Sequence, residues 1–225
     1  GDFFDNRKTV NFDTLRHARE CFIDPLIERG YNLHMLVGNH DSYYKSNGEL
    51  TSTKLLFNDI ESVHVYDSLT RVKFGNTSFL MVPWIFPIQE EEINNIIRTD
   101  KSKVCCGHFE MIDTVYQGTT VSKKGIDPDL FSHFNHTFSG HYHKKSRFYI
   151  GSPYEMTWSD FDDSKRIILF DADTCKADSV YFENVTYRTI EYPIDEDLDL
   201  TQFKDKILRV LVKKKDDLKA FNDFI

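Results

Sequence analysis

The stretch His136-Thr137-Phe138-Ser139-Gly140-His141-Tyr142-His143 sets the reading of this chain, because a strand-like run ends in glycine and is followed at once by paired imidazoles. The same design occurs twice more. Residues 33–37 read as a strand that delivers Gly38-Asn39-His40-Asp41, and residues 104–106 deliver Gly107-His108. Gly1-Asp2-Phe3-Phe4-Asp5 adds two carboxylates. Glycine at each strand end is expected to let the backbone turn sharply at the carboxyl edge, where open α/β sheets gather ligands from separate strands into one crevice.

Composition bounds what such a crevice can belong to. The chain has 225 residues, 40% hydrophobic and 14% aromatic, enough to bury one good core plus a small appendage. This excludes a disordered chain. A net charge of -8 argues against a protein that grips nucleic acid unaided, since neutralising phosphates calls for clustered Lys and Arg. Cys21, Cys105, Cys106 and Cys175 show no Cys-x-x-Cys spacing and read as reduced core residues, which suggests a reducing compartment. No apolar run approaches the roughly 20 residues that span a bilayer, and no signal-peptide pattern opens the chain. A soluble, cytoplasmic protein with no membrane partner is the expectation.

Strand and helix signals alternate along the chain, which predicts a layered α/β fold. Phe12, Leu15, Ala18, Phe22 and Leu26 recur at helical spacing, with Asn11 as N-cap, Gly30 as stop, and Pro25 expected to kink or split the helix. Strands are expected over 31–37, 62–66, 70–74, 77–82, 103–106 and 137–139, and helices over 51–58 and 90–98. An antiparallel finish is expected over 147–150, 166–170 and 179–182. The acidic, Pro-containing stretch 187–199 reads as a linker. Beyond it, 207–212 reads as a strand and 216–224 as an amphipathic helix. The domain division is therefore 1–186, the main unit, and 187–225, linker and partial small domain.

The motif residues suit a pair of divalent ions. Two such ions about 3.5 to 4 Å apart can hold a phosphate, acidify a bound water toward pKa about 7, and stabilise both attacking and leaving oxygens. Asp2 offers a carboxylate that could bridge them, Asn39 an amide oxygen, and His108, His141 and His143 imidazoles. This mixed nitrogen and oxygen set favours Mn²⁺, with Fe or Zn²⁺ as alternatives, over Ca²⁺, which prefers all-oxygen cages. His40 is better placed to face substrate, and a hydrogen bond between it and the Asp5 carboxylate, the acceptor, would fix its tautomer and keep it protonated. Each motif alone has an ordinary reading: a Gly-His pair is most often a loop histidine, and Gly-Asn-His-Asp suits a tight turn. Their order, each after a strand signal, is what separates them from accident. His17, His34, His64, His133 and His136 lack that context and read as structural.

The order Gly-Asp-x-x-Asp, Gly-Asn-His-Asp, Gly-His and Gly-His-x-His, over residues 1–143, resembles the calcineurin-like metallophosphoesterase superfamily. Tyr149-Ile150-Gly151-Ser152-Pro153, Gly1-Asp2-Phe3-Phe4-Asp5-Asn6-Arg7-Lys8 and Val82-Pro83-Trp84 resemble the SbcD-type DNA double-strand-break nuclease subunits, especially their phage recombination relatives. The resemblance implies a Mn²⁺-dependent DNA nuclease in a double-strand-break repair or recombination complex, paired with an SMC-like ABC ATPase subunit of SbcC type, and a homodimer where the two ATPases pair. It implies that Asp2 bridges two ions, that Asn39, His108 and His141 complete one site, that His143 belongs to the other, and that His40 is catalytic. A phage-encoded member would work in the host cytoplasm.

The chain departs from that pattern in one respect. The family carries an Asp-x-His motif on a strand ahead of Gly-Asp-x-x-Asp, and here the sequence opens at Gly1 of the second motif. The expectation is a β-sandwich flanked by helices that lacks its first strand, followed by the start of a capping domain, so that the sequence is a piece of a longer protein. Two other classes stay open: another calcineurin-like phosphodiesterase or phosphatase, and a non-catalytic remnant. Against the phosphatase, Asn6-Arg7 stands where Arg-Gly follows the motif in those enzymes.

Overall fold

The computed structural model of the chain describes residues 1–117, 120–182, 186–193, 198–213 and 221–222. Its architecture is α/β. The central sheet has four strands in the order β3 (Thr70–Phe74), β4 (Thr77–Val82), β5 (Val104–His108) and β8 (His136–Gly140). Strands β4, β5 and β8 run parallel, and β3 joins β4 as an antiparallel hairpin. Strands β1 (Leu33–Leu36) and β2 (Val63–Tyr66) form a separate parallel pair.

Both faces of the central sheet are covered, as parallel strands require. Alternation along each strand sorts its side chains between two cores. Leu80, Val82 and Cys105 face a core with Ile97, Phe109, Met111, Phe131 and Tyr149. Phe79, Met81 and Val104 face the other, which also holds Leu36, Tyr66, Phe138 and Phe170. A third core joins Phe4, Ile23, Met35, Phe57 and Val63 beneath the first helical region. Helix α4 (Glu90–Thr99) leads into β5 and buries Ile97 against the sheet.

The first helical region follows its sequence signals closely. Asn11 caps α1 (Phe12–Ala18), its side chain accepting from the Thr14 amide at 2.7 Å, and Gly30 ends the region at φ 76°. Pro25 does split the helix. A π-helical turn, Arg19–Ile23, separates α1 from α2 (Asp24–Glu28), and the wider turn gives the proline ring room where an α-helical carbonyl would clash. Helix α3 is Ser52–Phe57.

Several expectations need correction. Residues 147–150 form no strand: a turn closes from the Ser146 amide to the Tyr149 carbonyl at 3.0 Å, and Tyr149 meets Ser139 in an isolated parallel bridge. The rest of the expected antiparallel finish is present, as a hairpin of β9 (Lys165–Asp171) and β10 (Lys176–Phe182). A short pair, β6 (Val115–Gln117) and β7 (Thr120–Val121), had no sequence signal. The expected linker begins as β11 (Tyr187–Tyr192), parallel to β12 (Ile207–Val212). It is no free tether, because Glu155 accepts from the amides of Thr186 and Tyr187 at 2.7 and 3.0 Å. Of the helix expected over 216–224, residues 221–222 are described and helical; the rest lies outside the described residues. Cys105 is buried, Cys106 and Cys175 are partly buried, but Cys21 is exposed on the helical region and is no core residue. No helix among the described residues is long and apolar enough to cross a membrane.

Candidate metal centre

The carboxyl ends of three strands, β1, β5 and β8, build one site. Residue pairing sets His108, the last residue of β5, beside Gly140, so that His141 emerges next to it. Strand β1 continues through Val37 into Gly38-Asn39, tied to the neighbouring chain by the Trp84 amide, which donates to the Val37 carbonyl at 2.8 Å. Residues 1–5 lie across these ends. Asp41, fully buried, fastens them there: its carboxylate accepts from the amides of Phe3 at 2.9 Å, Phe4 at 3.3 Å and Gly38 at 2.9 Å. Phe3 and Phe4 pack on Phe57, anchoring the segment in the third core.

The glycines serve the site by a different property from the one expected. Gly38 and Gly140 are not among the residues at positive φ. What they supply is space. A Cβ on Gly38 would lie 2.2 Å from both the amide nitrogen and Oδ1 of Asp2, and one on Gly140 would lie 2.8 Å from His108 Nδ1. The left-handed conformations fall instead on Asp2 (φ 55°) and His141 (φ 90°) themselves. Backbone strain of about 1 to 3 kcal/mol at such residues persists where the surroundings impose it.

Four ligand-type atoms converge. His108 Nε2 is 2.9 Å from Asp2 Oδ2 and 3.0 Å from Asn39 Oδ1, and His141 Nδ1 is 3.1 Å from the same amide oxygen. Asp2, His108 and His141 offer ligand atoms that all lie within 4.8 Å of one another. A divalent ion with bonds of about 2.1 Å places neighbouring octahedral ligands about 3.0 Å apart. The observed spacing fits that. The Asn39 amide bears on the same question, for its nitrogen faces the Arg7 guanidinium. Reversed, the amide nitrogen would face His108, His141 and Asp2 and its oxygen would accept from Arg7 at 3.1 Å, satisfying both atoms of the amide without an ion. A bound cation would select the oxygen-inward orientation.

Electrostatics prepare the same atoms. Burial pushes the Asp2 carboxyl up, but its hydrogen bond to His108, the charges of His108 and His40 and the His40 amide outweigh this and hold it at about 2. Burial, with the neighbouring His108, lowers His141 to about 4, and burial also lowers His108. Near neutral pH the carboxylate is charged and both imidazoles are neutral, the forms that bind metal.

The remaining expected residues fall around this cluster. His40 donates its amide to Asp2 Oδ1 at 2.7 Å, and its Nδ1 lies 2.6 Å from the main-chain carbonyl of Asp5. A carbonyl only accepts, so Nδ1 carries the proton. The Asp5 carboxylate, by contrast, is 3.7 Å away and almost wholly exposed. The peptide of Asp5, not its side chain, orients His40. His143 is outside the cluster; its Nδ1 faces Asp160 Oδ2 at 3.4 Å. Sequence reasoning gave no role to Asp41 or Asp160. Trp84, whose ring centroid is 5.1 Å from that of His141, was marked only by the Val-Pro-Trp resemblance. Beside His108 opens a cleft of about 260 Å³ whose walls include Trp84, Phe109, Glu110, Lys124 and Ile126.

No protein-family model matches the chain. It is similar to Exonuclease subunit 1 of Enterobacteria phage T4, with 31% identity over 220 residues. The aligned region covers 96% of this chain, and the chain spans 64% of the length of that relative.

Proposed function

We propose that this chain is the metal-binding part of a DNA nuclease subunit that hydrolyses phosphodiester bonds. The observation that carries the reading is the convergence of Asp2, Asn39, His108 and His141 from separate strand ends onto one ion-sized point. Likeness to a phage exonuclease subunit supports DNA as the substrate. Mn²⁺ suits the mixed donor set, with Fe or Zn²⁺ as alternatives. Divalent ions there would supply charge neutralisation of the phosphate and an acidified water.

The chain's own residues supply the rest. Asp2 and the neutral imidazoles of His108 and His141 would hold an ion, with Asn39 Oδ1 as a fourth donor; Asp2 and His143 would hold a second. His40, fixed through Nδ1–H by the Asp5 carbonyl, leaves Nε2 free to face the substrate, where its imidazolium form would give the Nε2 proton to the leaving oxygen. Arg7, beside Asn39, offers a guanidinium to a phosphate oxygen. An acidic chain of this kind would act on DNA with a basic partner surface, consistent with an SMC-like ABC ATPase subunit.

The test is Mn²⁺ titration by electron paramagnetic resonance alongside cleavage of end-labelled DNA. His108→Ala should abolish ion binding at the cluster and cleavage together. Cleavage that survives with no bound ion would refute the proposal.

A further inference from the structure

Outside the cluster lies a second polar network that none of the motifs accounts for, and it is built on a buried lysine. Lys165 is only 2% exposed. Its ammonium donates to Ser152 Oγ at 2.9 Å and Asp163 Oδ2 at 3.1 Å, and stands 3.8 Å from Asp160 Oδ1. A charge so placed survives only when paired, and it is retained with a carboxylate that has its own full set of donors. Asp160 Oδ2 accepts from the amides of Met156 at 3.1 Å and Thr157 at 2.9 Å and from the Thr157 hydroxyl at 3.2 Å. Thr157 and Asp160 close a capping box on a 3₁₀ turn, Trp158–Asp160. This carboxylate cannot swing.

The same oxygen of that fixed carboxylate also faces His143, whose Nδ1 lies 3.4 Å from Oδ2. The same segment also grips the His143 backbone. The Ser152 amide donates to the His143 carbonyl at 2.9 Å, and Gly151, at φ 91°, leaves the space, since a Cβ there would meet that carbonyl oxygen at 3.0 Å. Ser152 therefore touches both ends of the network: main chain to His143, hydroxyl to Lys165.

We propose that Lys165, Asp160 and Ser152 form a clamp that positions His143, with Asp160 accepting a hydrogen bond from Nδ1–H so that the Nε2 lone pair is presented outward. The inference rests on the proposed role of His143 as an ion ligand and adds to it three positioning residues. A carboxylate behind a ligating histidine fixes tautomer and ring orientation and commonly governs affinity by about 10 to 100-fold.

The first measurement needs neither a variant nor a metal. Nitrogen-15 NMR of the ion-free protein at pH 8 should show His143 as the Nδ1–H tautomer; an Nε2–H tautomer would overturn the clamp. Asp160→Asn, whose amide can donate, should shift that population toward Nε2–H, while Asp160→Glu should restore it in part. A folded Asp160→Asn protein with an unchanged His143 tautomer would also overturn it. Mn²⁺ titration separates this inference from the functional reading. His143→Ala should remove one ion. If it removes none, the ligand role fails while the tautomer result still judges the clamp. Asp160→Asn should weaken that same ion about 10 to 100-fold and leave the ion at Asp2, His108 and His141 unaffected.

Discussion

Gly38→Ala is the sharpest single test of the site geometry. The added methyl would sit 2.2 Å from Asp2 N and Oδ1 and 2.8 Å from its Cγ, where ordinary contact begins at 3.4 Å. Asp2 must therefore retreat by about 1 Å, or β1 must shift by as much. Ligand bonds tolerate only about 0.2 Å, so such a retreat removes the carboxylate from the ion. Losing a direct ligand should cost more than the 10 to 100-fold typical of outer-shell defects, while overpacking lowers stability by about 1 to 3 kcal/mol. Gly30→Ala is the matched control. At φ 76° with nothing within 4 Å, it should cost about 1 kcal/mol of strain and leave the site untouched. Mn²⁺ isotherms and urea melts of both variants check this. Unchanged Mn²⁺ affinity in Gly38→Ala would refute the close-approach argument, and equal loss in Gly30→Ala would show that general destabilisation, not displacement of Asp2, is at work.

Three further outcomes follow from the same contacts. His40→Gln should lower DNA cleavage by about 10² to 10⁴ with Mn²⁺ affinity near wild type, whereas Asp5→Asn should change cleavage less than about threefold, because the peptide carbonyl remains; steady-state kinetics would show a large Asp5 effect if the side chain mattered. Ion-free protein should lose stability as pH falls from 6.5 to 4, since the unfolded chain takes a proton that folded His141, lowered to about 4, refuses; the loss approaches about 3 kcal/mol, Asp2 adds to it below pH 3.8, and His141→Asn should flatten the slope in melts with chelator. Asp41→Ala strips the acceptor from three main-chain amides, at about 1 to 3 kcal/mol for each one left buried, so its melting temperature should fall sharply even without metal; an unaltered melt would mean residues 1–5 are not held as described.

The strands and the side chains that converge at their ends were legible in the sequence, for a physical reason. Apolar runs ending in glycine report both a buried strand and a close approach, and both are local properties. Asn11 and Gly30 were legible likewise, since caps depend on neighbours within four residues. What escaped was nonlocal. Asp160 reaches His143 across 17 residues and Lys165 is buried by a fold-back, so neither differs in sequence from a solvated charge. Asp5 was misread because spacing cannot tell a carboxylate from the carbonyl of the same residue. The role of glycine was misjudged in kind: dihedral freedom was expected, and absence of a Cβ was what the packing used.

The adjacent thiols of β5 bear on the chemistry of the strand that carries His108. Burial pushes Cys106 up to about 12 and Cys105 well above its ordinary value. At pH 7 a thiol with pKa about 12 is ionised about once in 10⁵ molecules, and only the thiolate binds soft ions or reacts with peroxide. Cys106 stands two residues before His108 on β5, where an ionised sulfur would be a soft donor for copper or zinc. Kept protonated, it neither competes for such ions nor enters the sulfenic acid ladder, so the strand that carries His108 is chemically silent toward both.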